Sequence, residues 1–281
     1  MAKLRRQSVG FRVSQLLLGI LIGIWSMVPL YWGVVIALST QSDIHADPVS
    51  LVPSSLTIEN FRHLLGGTTA HFYQAMFNSI IQATGSTVLT LLIAMPAAYA
   101  FSRLRFRGST FLLAIITATL AVPIYLVLIP LFQLASATGQ LNTQQAVILV
   151  LASASLPLAI WIIRSHMASL PQDLESAARL DGAGTFIIMT KIIGPLAVPG
   201  LVAAAIVVFL ASWGAFLIPL VYANSAAMQP LTVLIPTFGG KVYTDFGLQA
   251  AAGLVAVTPP ILLVIFLQKH LLSGLLKGAY R

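Results

Sequence analysis

Six long apolar runs alternate with short polar segments along this chain. Each run supplies about the 20 residues that a helix needs to cross the roughly 30 Å hydrocarbon core of a bilayer. A basic stretch precedes the first run, but that run is too long for the apolar region of a signal peptide, so we interpret it as an uncleaved anchor. Pro123 and Pro130 predict breaks in the third run. The pattern predicts an all-α integral membrane protein, with residues 1–281 as one transmembrane domain and spans at about residues 16–38, 73–101, 111–132, 145–163, 200–222 and 248–267.

A polar segment at residues 169–195 separates the fourth and fifth runs. Its first half predicts a short helix, in which Ser169 and Gln172 have the spacing of a capping box. Glu175 and Arg179 are four residues apart, in the favourable order for an ion pair along a helix.

Glycines at 182 and 184 predict a break after this first helix. A second, strongly apolar helix follows over residues 185–193, and Gly194-Pro195 predicts its end. Two short helices hinged at glycine would form a compact projection outside the membrane. On periodicity alone, an amphipathic connector lying at the membrane interface is the alternative.

Composition and charge place the chain in lipid and orient it. The chain is 58% apolar and only 8% charged, whereas a soluble domain carries about 25% charged residues. With the N-terminus in the cytoplasm, 13 of the 15 Lys and Arg residues fall on cytoplasmic segments, and Arg62 and Lys241 fall outside. The positive-inside rule therefore predicts cytoplasmic N- and C-termini and a cytoplasmic 169–195 segment. The basic residues form no single stripe, so the net charge of +8 does not indicate nucleic acid binding.

The sequence contains no motif for catalysis or for nucleotide binding. It has no cysteine, no H-x-x-x-H pair and no G-x-x-x-x-G-K-[ST] segment, so we predict no metal site, no bound cofactor and no ATP cradle. An ATP-driven role would require a second polypeptide. The predicted spans carry charges only at their ends, which disfavours a proton-coupled carrier. A channel or a self-sufficient secondary carrier remains as an alternative of a different class.

Polar and aromatic side chains are the candidates for a transport pathway. Asn78, Gln82 and Ser86 recur every four residues and therefore share one helix face. They would face a cavity, or they would hold helices together through hydrogen bonds. Trp213 and Phe216 would stack on a sugar ring, or they would belong to an interfacial aromatic belt.

The segment at residues 223–247 follows the fifth run on the outer side. Its prolines and its Gly239-Gly240 pair predict a loop with fixed turns rather than a helix. We expect Phe238, Gly239, Gly240 and Lys241 to contact an external protein, and a solvated connector is the alternative.

Three stretches resemble the permease subunits of bacterial ABC importers, most closely those of the maltose-type sugar family. The stretch from Leu170 to Ala183, L-P-Q-D-L-E-S-A-A-R-L-D-G-A, resembles the L-P-x-E-L-E-E-A-A-x-x-D-G-A wording of that family's EAA loop. The family glutamate falls on Ser176, and Glu175 lies one place earlier. Trp213-Gly214-Ala215-Phe216 with Pro219-Leu220 is similar to W-N-E-F-x-x-P-L, and the tail from residue 267 is similar to F-x-Q-R-x-x-x-x-G-L-x-x-G-A.

The resemblance implies an ABC importer type I permease fold, in which six transmembrane helices carry a cytoplasmic EAA coupling loop at residues 169–195. It implies a bacterial inner-membrane protein that imports a sugar, or alternatively a non-sugar solute such as a glycerophosphodiester. The implied partners are a second permease, two ATPases that bind ATP and Mg, an external substrate-binding protein and membrane lipid. The implied ATPase-coupling residues are Asp173, Glu175, Ser176, Ala177, Ala178, Asp181, Gly182 and Ala183.

Overall fold

The structure, a computed structural model, describes residues 9–46, 52–67, 69, 71–104, 106–239 and 244–279. Within these residues the regular secondary structure is helical, apart from an isolated antiparallel bridge between Gly239 and Thr244, so the prediction of an all-α protein is confirmed. In chain order, the α-helices are α1 (Val9–Ala37), α2 (Gln41–Ile44), α3 (Glu59–Leu65), α4 (Phe72–Arg103), α5 (Ser109–Ala118), α6 (Ile124–Ala137), α7 (Gln144–Ala168), α8 (Asp173–Leu180), α9 (Thr185–Ile187), α10 (Gly194–Leu196), α11 (Val198–Trp213), α12 (Leu217–Tyr222), α13 (Leu231–Leu234) and α14 (Phe246–Ala279).

Several of these helices have the length and composition of membrane spans. Within the described residues, four single helices qualify, over Val13–Ala37, Phe72–Arg103, Gln144–Ala168 and Phe246–Leu267. Two helix pairs qualify only together: Ser109–Ala121 with Ile124–Ala137, bent by 97°, and Thr185–Leu196 with Val198–Trp213, bent by 76°. By length and composition, this part of the chain therefore has four helices that could cross a membrane, or up to six candidate spans if each bent pair counts as one.

The break between α5 and α6 has a local cause in the sequence. A 3₁₀ turn over Thr119–Ala121 follows α5, and Val122 then takes an extended conformation with ψ 119°. Val122 precedes Pro123, whose ring disfavours the helical conformation of the residue before it. Pro130, which also predicted a break, lies inside α6. Only the proline at 123 therefore separates the two helices.

Contacts divide the chain into two compact units. The first comprises Met1–Ala70 and Ile235–Ala256, and the second comprises His71–Leu234 and Val257–Arg281. In the first unit, Asn60 donates hydrogen bonds to the carbonyls of Ala37 (2.9 Å) and Ser39 (3.1 Å). Gln41 donates to the Asp245 carboxylate at 2.6 Å, so the start of α14 is tied to α2.

The second unit is built on three mutually packed helices, α4, α7 and α11. Alanines fully buried at their contacts allow the helix backbones to approach closely. Gly200 of α11 lies so near α7 that a Cβ there would be 2.6 Å from the Cβ of His166. The segment from α8 to α10 packs on one end of this bundle through Ala178, Ile188 and Ile193.

Candidate functional site

The segment at residues 169–195 folds as two helical pieces joined by a tight turn at Gly182. Helix α8 ends in a Schellman motif, in which Ala183 N–H donates to Ala178 O (2.9 Å) and Gly182 N–H donates to Arg179 O (3.1 Å). Gly182 takes a left-handed conformation with φ 83°. This conformation favours glycine, so the geometry of the turn depends on the residue type at 182.

The start of α8 differs from the expected capping box. The Ser169 hydroxyl donates to His166 O (2.7 Å), at the end of α7. Gln172 precedes α8 in a helical conformation, and its side chain makes no capping hydrogen bond. Asp173 and Glu175 nevertheless lie in the first turn of α8, where the helix dipole favours negative charge.

Glu175 is buried and forms an ion pair with a residue far away in the sequence. The side chains of Glu175 and Arg103 are 9% and 3% exposed, and Arg103 Nε lies 2.8 Å from Glu175 Oε1. The Nε–H does not point along a hydrogen bond to that oxygen, so the contact is an ion pair of opposite charges. The hydroxyl of Tyr99 donates to the other carboxylate oxygen at 3.3 Å. The partner of Glu175 is therefore on α4, rather than Arg179 on its own helix as the spacing predicts.

Arg103 also caps the C-terminal end of α7. Its Nη2 donates hydrogen bonds to the carbonyls of Met167 and Leu170, each at 2.7 Å. The last carbonyls of a helix have no partners within the helix and carry partial negative charge, so a guanidinium satisfies them well. One side chain thus joins α4, α7 and α8.

The outer surface of the segment combines small, polar and large apolar side chains. Ser176, Ala177, Asp173 and Asp181 are exposed, Ala183 is half-buried and Ala178 is buried. Two large apolar side chains, Leu180 and Phe186, flank the Gly182 turn and are 89% and 73% exposed. Sequence reasoning missed both, although an apolar residue beside a predicted turn was a usable signal.

A groove of about 640 Å³ opens between α8 and the chain that follows α4. Among the described residues, its charged lining groups are Arg103, Arg107, Arg179 and Glu175, so it carries net positive charge. Ser176 also lines this groove.

The second helical piece extends further than the sequence predicts. After α9, the chain forms a π-helical stretch over Ile188–Ile193, and Gly194 N–H donates to Met189 O, five residues back. Gly194-Pro195 does not end the helix, because α10 continues to Leu196. Pro195 lies in the first turn of α10, which directly follows the π-helical stretch. Ile188 and Ile193 are fully buried against the bundle.

Asn78, Gln82 and Ser86 share a buried face of α4, as their spacing predicts. Asn78 donates to Ala227 O (2.8 Å) and Gln229 O (3.0 Å) and accepts from Gln144 Nε2 (2.8 Å). Gln82 Nε2 donates to Gln144 Oε1 (3.0 Å) and Met228 O (3.1 Å). These bonds tie α4 to the start of α7 and to the segment before α13.

Ser86 continues this row toward the other end of α4. Its hydroxyl lies 2.8 Å from that of Ser212 on α11. The polar row therefore has the contacts expected of the helix-joining alternative, and its role in a pathway stays a prediction.

The aromatic candidates lie at the end of α11. Trp213 stacks on Phe209, with ring centroids 5.6 Å apart and an angle of 19° between planes. Phe216 is 42% exposed. The two side chains are accessible at this end of the bundle, and stacking on a ligand stays a prediction.

The segment at residues 223–247 contains short helices, whereas the sequence predicts a loop with fixed turns rather than a helix. Helix α13 starts directly after Pro230, and a 3₁₀ turn over Ile235–Phe238 follows it. Proline at or just before a first turn costs no helical hydrogen bond, which explains this departure. Phe238 and Gly239 are half-buried, whereas Gly240 and Lys241 lie outside the described residues.

Comparisons with known proteins agree on one family. The family described as the binding-protein-dependent transport system inner membrane component matches residues 90–277. The trehalose/maltose transport system permease protein MalG of Thermococcus litoralis is 31% identical over 98% of this chain and 99% of that protein. The trehalose transport system permease protein SugB of Mycobacterium tuberculosis is 32% identical over 92% and 93%. The sulfoquinovosyl glycerol transport system permease protein SmoH of Agrobacterium fabrum is 31% identical over 91% and 89%.

A solved structure shows the same fold. A chain from the crystal structure of a bacterial ABC transporter that imports the acidic polysaccharide alginate superposes with a TM-score of 0.78, covering 94% of this chain and 98% of that chain. The two sequences are only 22% identical, so the likeness concerns the fold.

Proposed function

The chain belongs to the family of binding-protein-dependent transport system inner membrane components, and we propose that it imports a sugar or oligosaccharide. It acts as one of two permease subunits of an ATP-driven ABC importer. The second permease completes the pathway, two ATPases bind ATP and Mg, and an external binding protein delivers the substrate. The names of the trehalose/maltose and trehalose permeases support the sugar class.

The observation that carries the proposal is the shape of the 169–195 segment. Its inner side is anchored in the bundle by a buried ion pair and buried isoleucines, whereas its turn exposes Leu180 and Phe186. Two large apolar side chains that stay exposed beside the same turn of a polar segment offer a surface on which another subunit can dock. The sequence has no ATP cradle, so a docked ATPase is the natural source of energy. ATP-driven movement of the segment then shifts the ends of α4 and α7, and the pathway alternates between outward and inward access.

Purification of the native complex tests this function. We expect an affinity-tagged chain to retain a second permease and an ATPase with a G-x-x-x-x-G-K-[ST] segment, and the complex to hydrolyse ATP. Substrate-loaded binding protein should stimulate that hydrolysis. A chain that purifies without an ATPase and still conducts solute in liposomes would instead be a channel or a secondary carrier.

The proposed orientation places both termini and the 169–195 segment in the cytoplasm. The distribution of basic residues supports it. The chain has no native cysteine, so single cysteines at the exposed positions Ser55 and Ser176 report orientation without background. In intact cells we expect a membrane-impermeant thiol reagent to label Ser55→Cys and to spare Ser176→Cys. Both variants should be labelled after permeabilisation. Labelling of position 176 in intact cells would show that the chain has the opposite orientation.

A further inference from the structure

We propose that Arg103 and Glu175 form an internal clamp that fixes α8 to the ends of α4 and α7, and that Glu175 makes no contact with the ATPase. The proposal deepens the proposed function, because it assigns Glu175 and the exposed side chains of the 169–195 segment to different tasks. Glu175 faces the bundle and holds the segment in place. The contact with the ATPase is left to the exposed side chains of Ser176, Leu180 and Phe186.

The burial of the pair supports this assignment. Glu175 and Arg103 are each more than nine-tenths buried, and both carboxylate oxygens have partners, Arg103 on one side and Tyr99 on the other. The carboxylate is therefore already engaged within the chain, and only 9% of the Glu175 side chain is open to a partner subunit. The neighbouring Ser176 is exposed but neutral, and its hydroxyl lies 3.4 Å from Gln172 O within α8.

The choice of a charged pair has a physical reason. Two apolar side chains of similar volume would hold α8 about as strongly, because desolvation offsets most of the attraction in a buried ion pair. Apolar contacts are non-directional, however, and permit one helix to slide on another. Arg103 instead pairs with Glu175 on α8 and donates directed hydrogen bonds to two carbonyls at the end of α7. Movement of α8 is therefore transmitted to the helix ends instead of being absorbed at the joint.

Removal of either charge should loosen α8 without removing the ATPase. The variants are Arg103→Gln, Glu175→Gln and both together, built on a complex that carries nitroxide labels at Gln172→Cys, directly before α8, and at Ser153→Cys on α7. Both label positions are exposed. We expect a narrow distance distribution between the labels in the parent, with and without ATP and vanadate, and a broader one in each single variant. The double variant should be no broader than the worse single, because the two residues act as a unit.

Arg62→Gln is the matched control, because it breaks an ion pair with Glu59 in which both side chains are about half or more exposed. Exposed pairs contribute little, so its distribution should equal that of the parent. Glu175→Gln retains an acceptor for Tyr99 and is the milder variant if Arg103→Gln fails to assemble.

Two outcomes would overturn the clamp. One is an unchanged distribution in both single variants. The other is loss of the ATPase from Glu175→Gln while Arg103→Gln keeps both the ATPase and the narrow distribution, because Glu175 would then be an ATPase contact. If the parent chain itself retains no ATPase, the proposed function fails, and the label distances still report on the clamp.

Discussion

Gly182→Pro should abolish the stimulation of ATP hydrolysis by substrate-loaded binding protein, while the chain still inserts into the membrane. Gly182 sits at φ 83°, and proline is fixed near φ −65°, so proline cannot adopt the turn. Proline also removes the N–H that donates to Arg179 O. The Schellman motif is lost, and Leu180 and Phe186 no longer flank the same turn. Hydrolysis by the purified complex should therefore fall to the basal rate, and membrane fractionation should show normal insertion.

Two further variants at this turn isolate the cause. Gly184 has φ −72°, and a Cβ there would meet no atom within 4 Å, so Gly184→Ala should behave like the parent. Gly182→Ala keeps the N–H, but the left-handed conformation costs alanine about 1–2 kcal/mol. The stimulation of ATP hydrolysis in this variant should therefore be intermediate. Full stimulation in Gly182→Pro would show that the segment is a connector and transmits nothing.

Asn78→Leu should destabilise the second unit strongly, because one side chain satisfies several buried groups. The substitution leaves the carbonyls of Ala227 and Gln229 and the amide of Gln144 without their partner. A buried polar group without a partner costs about 1–3 kcal/mol. Losing two or three such bonds should lower the melting temperature by roughly 5–10 °C, as measured by thermal unfolding of the purified chain in detergent. Protease cleavage near residues 223–230 should also become faster.

Asn224→Leu provides the comparison, since it makes the same change at an exposed position of the segment before α13, to which Asn78 donates its hydrogen bonds. Its melting temperature should match that of the parent. A normal melting temperature in Asn78→Leu, combined with reduced transport, would instead favour Asn78 as a pathway residue.

The parts of the fold that follow from local chemistry were accessible from the sequence. Long apolar runs gave the long helices, Pro123 gave a break, and the glycine at 182 gave the turn. These features depend on hydrophobicity and on backbone constraints that act within a few residues. Pro130 shows the limit of such local rules, because it lies inside α6 and does not end that helix.

The contacts of the candidate site were less accessible, because they join distant residues. Glu175 has a suitable local partner in Arg179, and only the packing of α4 against α7 brings Arg103 to it instead. The shared face of Asn78 and Gln82 was predictable from their spacing. Both side chains donate to backbone carbonyls at residues 227–229. Every residue has a backbone carbonyl, so the sequence does not indicate which of them accept these bonds.

The division of the first unit between two distant parts of the chain has a consequence for biosynthesis. Its early part, including the Asn60 contacts with Ala37 and Ser39, is complete soon after residue 70 leaves the ribosome. Its late part begins at Ile235, and translation of the intervening residues takes on the order of 10–30 s at roughly 5–20 residues per second. During that interval Asp245 has not yet been synthesised, so the Gln41 side chain cannot form its hydrogen bond with the Asp245 carboxylate. An insertase or a chaperone therefore has the longest time to act on the first unit while its late part is still missing.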